Sequence, residues 1–240
     1  MKTKTLNKRI ALVAGGAGEV GEGIVGAMLH EGARVIVPSR DSGRLERLRK
    51  RIGEKGGALV TVKADIGTAE GAEALREQII TDMGALDIVV VSLGGWWRGS
   101  PLMHMGAGDW KREIRNNLTA HYIVARTFLP MLLDRPGSSY TMLNGPAALT
   151  PLIGSGVISI AAAAQTMMKE VLSAECAGAL TRINTVMIMT PVLTRSRASG
   201  PASWLRADEV GEYVAWLASD DAAEVRGATL KLQSREQLPL

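Results

Sequence analysis

Short apolar runs rich in β-branched residues alternate along this chain with segments whose apolar residues recur every three or four positions. The runs at 10–14, 34–38, 59–63, 88–92, 140–143, 182–188 and 229–232 predict strands. Their near-continuous hydrophobicity is what a strand buried on both faces requires, and parallel sheets bury both faces under helices. The intervening segments supply those helices. Residues 42–55 place Leu45, Leu48 and Ile52 on one side, Ile24, Val25, Met28 and Leu29 do the same after the first strand, and 207–217 repeats the pattern near the end. Strand and helix in strict alternation predict a doubly wound α/β architecture with a parallel sheet of about seven strands and a ligand crevice at the strands' carboxyl ends.

Composition narrows this picture. With 240 residues and 46% hydrophobic content the chain can bury one substantial core. No Pro/Ser-rich linker, charge block or internal repeat divides it, so residues 1–240 are expected to form a single domain. The single cysteine, Cys176, excludes an intrachain disulfide and leaves no Cys/His cluster with metal-ligand spacing. A formal charge of +4 raises nucleic acid as a partner, but Lys2, Lys4, Lys8 and Arg9 read as a solvated approach to the first strand and the other basic residues are scattered. We expect neither a nucleic-acid nor a membrane partner. The basic first residues lack the apolar stretch of a signal peptide, and no apolar segment is long enough to span a bilayer, which predicts a cytoplasmic protein.

Chemistry enters at the first turn. Ala14-Gly15-Gly16-Ala17-Gly18-Glu19-Val20-Gly21 follows a strand and opens a helix, the context in which a glycine motif reads as a nucleotide cradle. Gly16, Gly18 and Gly21 fit G-x-G-x-x-G, whereas Gly15, Gly18 and Gly21 fit G-x-x-G-x-x-G. Either way, residues without Cβ let the backbone approach a pyrophosphate, which free N–H groups and the helix N-terminus stabilise. At the end of the second strand stand Ser39 and Arg40 with no acid. A carboxylate there would bind the ribose hydroxyls of NAD, whereas a cation suits an added 2′-phosphate, so NADP(H) is preferred over NAD(H). Asp65-Ile66 after the third strand suits the adenine edge, and Asp65 suits equally a cap of the next turn.

The chain resembles the short-chain dehydrogenase/reductase family over nearly its whole length. The resemblance is carried by the glycine turn, Asp65-Ile66, Leu86-Asp87-Ile88, Trp110 with Asn117-Leu118, Leu172 with Glu175, Arg182-Ile183-Asn184 and Thr194, in the family's order. It implies a Rossmann fold, NAD(P)-dependent hydride transfer, homodimers or homotetramers, and a Ser, Tyr, Lys and Asn active-site set. Asn117 resembles the family asparagine, and Thr194 the threonine that contacts the cofactor. The other positions depart from the pattern. The family serine falls at about Gly145, after Asn144, and Tyr-x-x-x-Lys falls on Ile158 and Ala162. No shifted alignment restores the pair, because residues 141–175 contain no tyrosine and only one lysine, Lys169. Glu19 replaces the middle glycine, Val91-Ser92-Leu93-Gly94 replaces Asn-Asn-Ala-Gly, and Ile188-Met189 replaces Pro-Gly; the last two sets, Gly94 included, surround the nicotinamide.

Tyrosine and lysine four apart on a helix normally exchange a proton with a substrate oxygen near neutral pH. Ile158 and Ala162 cannot. An acceptor that is already cationic, such as an imine or iminium ion, needs no such donor, and this leads to an NADPH-dependent reductase of activated acceptors. Trp96 and Trp97 are expected to line its substrate pocket. Residues 189–206 read as a lid that Trp204 closes. Among replacement groups, His121 lies one α-helical turn past Asn117, and Asn144 can donate a hydrogen bond but not a proton; His104 and Tyr140 read as structural. The competing reading is a catalytically silent nucleotide-binding sensor or a structural subunit of a hetero-oligomer.

Overall fold

Seven parallel strands form one sheet in the order β3-β2-β1-β4-β5-β6-β7 in the computed structural model, which describes residues 4–53 and 58–238. The strands are β1 (Ile10–Ala14), β2 (Arg34–Ser39), β3 (Leu59–Lys63), β4 (Ile88–Val91), β5 (Ser139–Asn144), β6 (Arg182–Ile188) and β7 (Thr229–Leu232). Helices α1 (Glu19–His30), α2 (Ser42–Ile52) and α7 (Ala207–Ala218) take part in one hydrophobic layer, with Val13, Ile24, Val35, Leu48 and Val214. Helices α3 (Ala69–Met83) and α5 (Ala120–Phe128) cover the other face over Leu12, Ile36, Leu75, Val89 and Phe128. Alternate residues of each strand feed opposite layers, as the two-residue pleat dictates. The doubly wound α/β expectation is met. Among the described residues no helix is long and apolar enough to cross a membrane.

Local signals set several helix ends. The Asp41 carboxylate accepts from the Arg44 N–H at 3.0 Å and starts α2, the Thr68 hydroxyl accepts from the Gly71 N–H at 3.1 Å and starts α3, and Gly84 ends α3 in the left-handed region. Gly53 stops α2 earlier than expected; positions 54 and 55 of the expected helix, like Lys2, lie outside the described residues. Arg9 is not simply solvated, since it pairs with Asp220 at 3.1 Å.

Four strand ends differ by a residue. β2 runs through Ser39 because its pairing with β3 continues to Lys63, β4 stops at Val91, and β5 extends to Ser139, which pairs with both β4 and β6, and to Asn144, which pairs with Met187 of β6. Strand order reverses between β1 and β4, so the chain leaves their carboxyl ends in opposite directions and a crevice opens there.

Candidate cofactor crevice and active site

The crevice holds about 370 Å³ and lies over the carboxyl ends of β1, β2, β3 and β4. Gly15 forms its floor with φ +86°, and a Cβ on it would sit 2.1 Å from the Ser92 carbonyl oxygen. Gly18 lines the crevice and precedes the first turn of α1. The other two motif glycines do not line it. Gly16 packs beneath Val25 and Val37, and Gly21 abuts the Gly15 carbonyl, so both serve the tightness of the turn. Val20 also lies outside the lining.

At the far end, Ser39, Arg40, Asp65 and Ile66 come together as expected, joined by Arg44 and Arg115. The Asp65 carboxylate lies between the guanidinium groups of Arg40, at 3.9 Å, and Arg115, at 4.0 Å, while its other oxygen accepts from the Gly67 N–H at 3.1 Å. Arg44 pairs instead with Asp41 at 3.6 Å, and the three arginines against Asp65 leave this end of the lining cationic. The Ser39 oxygen accepts from the Asp41 N–H at 3.1 Å, which leaves its hydroxyl proton free to donate.

Glu19 occupies the first position of α1 but turns away from the crevice. Its carboxylate accepts from the Thr194 hydroxyl at 2.6 Å, the Ser196 hydroxyl at 2.5 Å and the Ser196 N–H at 3.2 Å. These bonds, the Ser196 hydroxyl first, hold its pKa below the ordinary 4.5. Beside it, Glu22 receives Arg195 at 2.9 Å and Arg51. Thr194 therefore bonds a carboxylate in this structure rather than lining the crevice.

A carboxylate with a depressed pKa contributes its contact fully above the unfolded value and loses it as pH falls through the folded value. Opening of residues 194–206, followed by hydrogen exchange, is expected to accelerate below pH 4.5 and to be fast at neutral pH in Glu19→Gln. Equal protection in variant and wild type at neutral pH would show that the contact does not hold this segment.

The inner end of the crevice adjoins a cavity of about 230 Å³; Leu93, Gly95, Trp96 and Asn117 line both. Gly94 turns there with φ +95°, and a Cβ on it would lie 2.3 Å from Asn117 Oδ1. Asn117 sits inside a π turn, Arg115–Thr119, between α4 (Ala107–Ile114) and α5. Its Oδ1 accepts from the Gly95 N–H at 3.0 Å, and its Nδ2 donates to the Glu113 carbonyl at 3.0 Å and carboxylate at 3.2 Å. The amide thus pins the loop after β4. Asn144 is similarly engaged: its Nδ2 donates to the Ala162 carbonyl at 2.9 Å and its Oδ1 accepts from the Gly145 N–H at 2.8 Å.

His121 does not join them. It is fully buried, lines neither cavity, and its Nε2 donates to the Leu93 carbonyl at 3.2 Å. Burial pushes its pKa down to about 4, so it is neutral at pH 7 and cannot act there as an acid. Trp96 lines both cavities and Trp97 the crevice alone, whereas Trp204 packs on Gly200 beneath Arg197, away from both. Lys169 is buried on α6 (Gly156–Glu175), donates to the Gly227 carbonyl at 2.7 Å and to Glu170 at 2.6 Å, and lines neither cavity. Tyr140 is buried in β5, and burial raises its pKa.

Sequence reasoning missed Glu113, Arg115, Arg44 and Gln165. Gln165 carried a faint signal as a polar interruption of an apolar helix; Glu113 and Arg115 carried none beyond their nearness to Asn117.

The short chain dehydrogenase family model matches residues 9–201. A 3-oxoacyl-(acyl-carrier-protein) reductase of Haemophilus influenzae is 30% identical over 234 residues, covering 92% of this chain and 95% of the relative. The D-threitol dehydrogenase of Mycolicibacterium smegmatis is 25% identical, covering 94% and 91%. A short-chain dehydrogenase/reductase structure from Serratia marcescens superposes with a TM-score of 0.85 over 95% of this chain and 97% of that one, and at 22% identity it speaks to the fold alone.

Proposed function

The chain belongs to the short-chain dehydrogenase family, whose members are oxidoreductases using a nicotinamide cofactor, and from that premise we propose an NADP(H)-dependent reductase of pre-activated acceptors. The observation that carries the proposal is the crevice floored by Gly15 and Gly18 with Ser39, Arg40 and Arg44 at its rim. The residues suit the cofactor: a side chain at Gly15 would fill the cradle, Glu19 is turned aside, and the rim offers guanidinium donors for a 2′-phosphate. When bound, the cofactor supplies a hydride.

Titration of the protein with NADPH and NADH tests this reading. A charge-assisted hydrogen bond contributes about 1.5–3 kcal/mol, so Arg40→Ala is expected to weaken NADPH by roughly 10- to 100-fold and leave NADH within a factor of about two. Equal loss for both nucleotides would remove Arg40 as the phosphate reader. If wild type bound neither, the reductase reading would fail.

The acceptor class follows from the inner cavity. Gly145, Ile158 and Ala162 line it where the family places Ser, Tyr and Lys, and none carries a transferable proton. Reducing a ketone needs a proton donor for the developing alkoxide, whereas an iminium carbon accepts hydride and becomes a neutral amine without one. The chain's own residues then have three tasks: to seat the cofactor, to place the acceptor beneath Trp96, and to exclude water. In this reading residues 189–206 act as the lid, tied to α1 through Glu19 and Glu22. A nucleotide-binding subunit without chemistry is the second reading, favoured by the full engagement of Asn117 and Asn144 in structural bonds. NADPH binding without oxidation across a panel of imines would select it.

Self-association belongs to the same proposal. Ile160, Met167 and Val171 form an exposed apolar stripe on the outer side of α6, at 40%, 63% and 45% exposure, a spacing that suits pairing with a second copy. Met167→Glu is expected to shift sedimentation from dimer or tetramer to a smaller species; an unchanged mass would assign the contact to another face.

A further inference from the structure

Helix α6 presents Ile158, Ala162 and Gln165 to the inner cavity, one helical face at spacings of four and three. The first two offer carbon. Gln165 is 7% exposed, and its Nε2 donates to the backbone oxygen of Asn117. A carbonyl can only accept, so this bond fixes which way the amide lies and leaves Oε1 as the other atom. Oε1 has no protein hydrogen-bond partner among the described residues, and the residue lines the cavity.

The donors around it are committed elsewhere. Asn144 Nδ2 is spent on Ala162 and Thr166, Asn117 Nδ2 on Glu113, and the N–H groups of Gly95 and Gly145 on the oxygens of Asn117 and Asn144. An acceptor without a protein partner thus stands on a residue of the cavity wall whose neighbouring amide donors are already used. Such a site discriminates, because a ligand that displaces solvent from this oxygen without donating to it leaves it desolvated and unpaired.

We propose that Gln165 is a specificity-determining residue whose Oε1 accepts a hydrogen bond from a ligand N–H. The site therefore takes a flat ligand bearing a protonated C=N or amine group in preference to a carbonyl compound of the same shape. A carbonyl oxygen would set acceptor against acceptor. The aromatic surface of Trp96, lining the same cavity, adds attraction for a cation. This inference deepens the reductase reading and rests on it for the site's purpose, but it concerns equilibrium binding.

The test uses three probes of one bicyclic shape: 3,4-dihydroisoquinoline in its protonated form, which has an N–H; its N-methyl iminium, a cation without that donor; and 1-tetralone, a neutral carbonyl. Calorimetry on the full chain at mildly acidic pH is expected to give at least tenfold tighter binding of the N–H cation than of either other probe. In Gln165→Leu the N–H and N-methyl cations should bind within about twofold of each other. Gln165→Glu, which keeps an acceptor, should retain the preference. Comparable binding of the N–H cation and tetralone by wild type, an N–H preference that survives in Gln165→Leu, or no binding of any probe would overturn the proposal. The wild-type comparison decides even if the Leu variant does not fold. N–H selectivity in a protein that fails to bind NADPH would sink the reductase reading and leave Gln165 assigned, whereas NADPH binding with tighter tetralone would do the reverse.

Discussion

Arg182→Met is expected to remove most of the protein's stability. The Arg182 side chain enters from the start of β6 and is 2% exposed. Its guanidinium donates to the carbonyls of Leu217 at 2.6 Å, Ala222 at 3.0 Å, and Ala218 and Ser219 at 3.1 Å. These include the last carbonyls of α7, which have no partner within the helix and carry the negative end of its dipole. A single buried cation thus closes the C-terminus of α7 and ties it to the sheet.

Met fills much of the space but donates nothing, so several buried carbonyls lose their partners together. Each buried carbonyl left unsatisfied costs about 1–3 kcal/mol, and four lose the same donor together, against a total stability of about 5–15 kcal/mol for a domain. Urea unfolding followed by circular dichroism should show the midpoint fall sharply or the variant fail to fold. Arg182→Lys should recover only part, since one ammonium with three donors cannot span carbonyls arranged around a planar guanidinium. A loss below about 1 kcal/mol in the Met variant would mean that water satisfies these carbonyls and that α7 is held by its apolar face alone.

The second large effect is a gain. In the triple variant Gly145→Ser, Ile158→Tyr and Ala162→Lys, the new groups enter the wall of the inner cavity that Asn144 and Gln165 also line. Positions 158 and 162 are one turn apart on α6, so the lysine charge stands beside the tyrosine and lowers its pKa, and the hydroxyl can then exchange a proton with a substrate oxygen near neutral pH. NADPH-dependent ketone reduction is expected to rise by about 10²–10⁴ over the parent, the range attributed to a positioned acid. Its pH profile should gain a basic limb that Ile158→Phe lacks. A triple variant that binds NADPH but reduces no ketone would show that the cavity does not place a carbonyl beside residue 158, and the lost-acid reading would fall with it.

How legible the protein was in its sequence follows from the range of the interactions involved. β1, β3, β6 and β7 have the bounds their apolar runs predict; β1 and β6 are buried nearly throughout and so write their length into consecutive residues, whereas the edge strands β3 and β7 are only partly buried. Ser139 is polar yet fully buried at the head of β5, and only its pairing with Ile88 and Arg182 makes it a strand residue. Gly15, Gly18, Ser39 and Arg40 were legible as crevice residues because each acts within a few positions of a strand end.

His121 was misplaced for a definite reason. Counting four residues from Asn117 assumes an α-helix, but the intervening segment is a π turn, whose wider winding carries His121 off the face of Asn117 and into the core. Trp204 was misplaced because nothing near it in the chain announces Gly200 and Arg197 as its contacts. The amino-acid sequence by itself determined the alternation of strand and helix, the glycine turn and the absence of a tyrosine–lysine pair from 141–175, all of them patterns written in neighbouring residues. Tertiary structure alone decided that Glu19 faces Thr194 and Ser196, that Arg182 caps α7, and that Gln165 brings an unpaired oxygen to the inner cavity. In each of these the partner lies 35 or more positions away, and no local period records which residues folding will bring together.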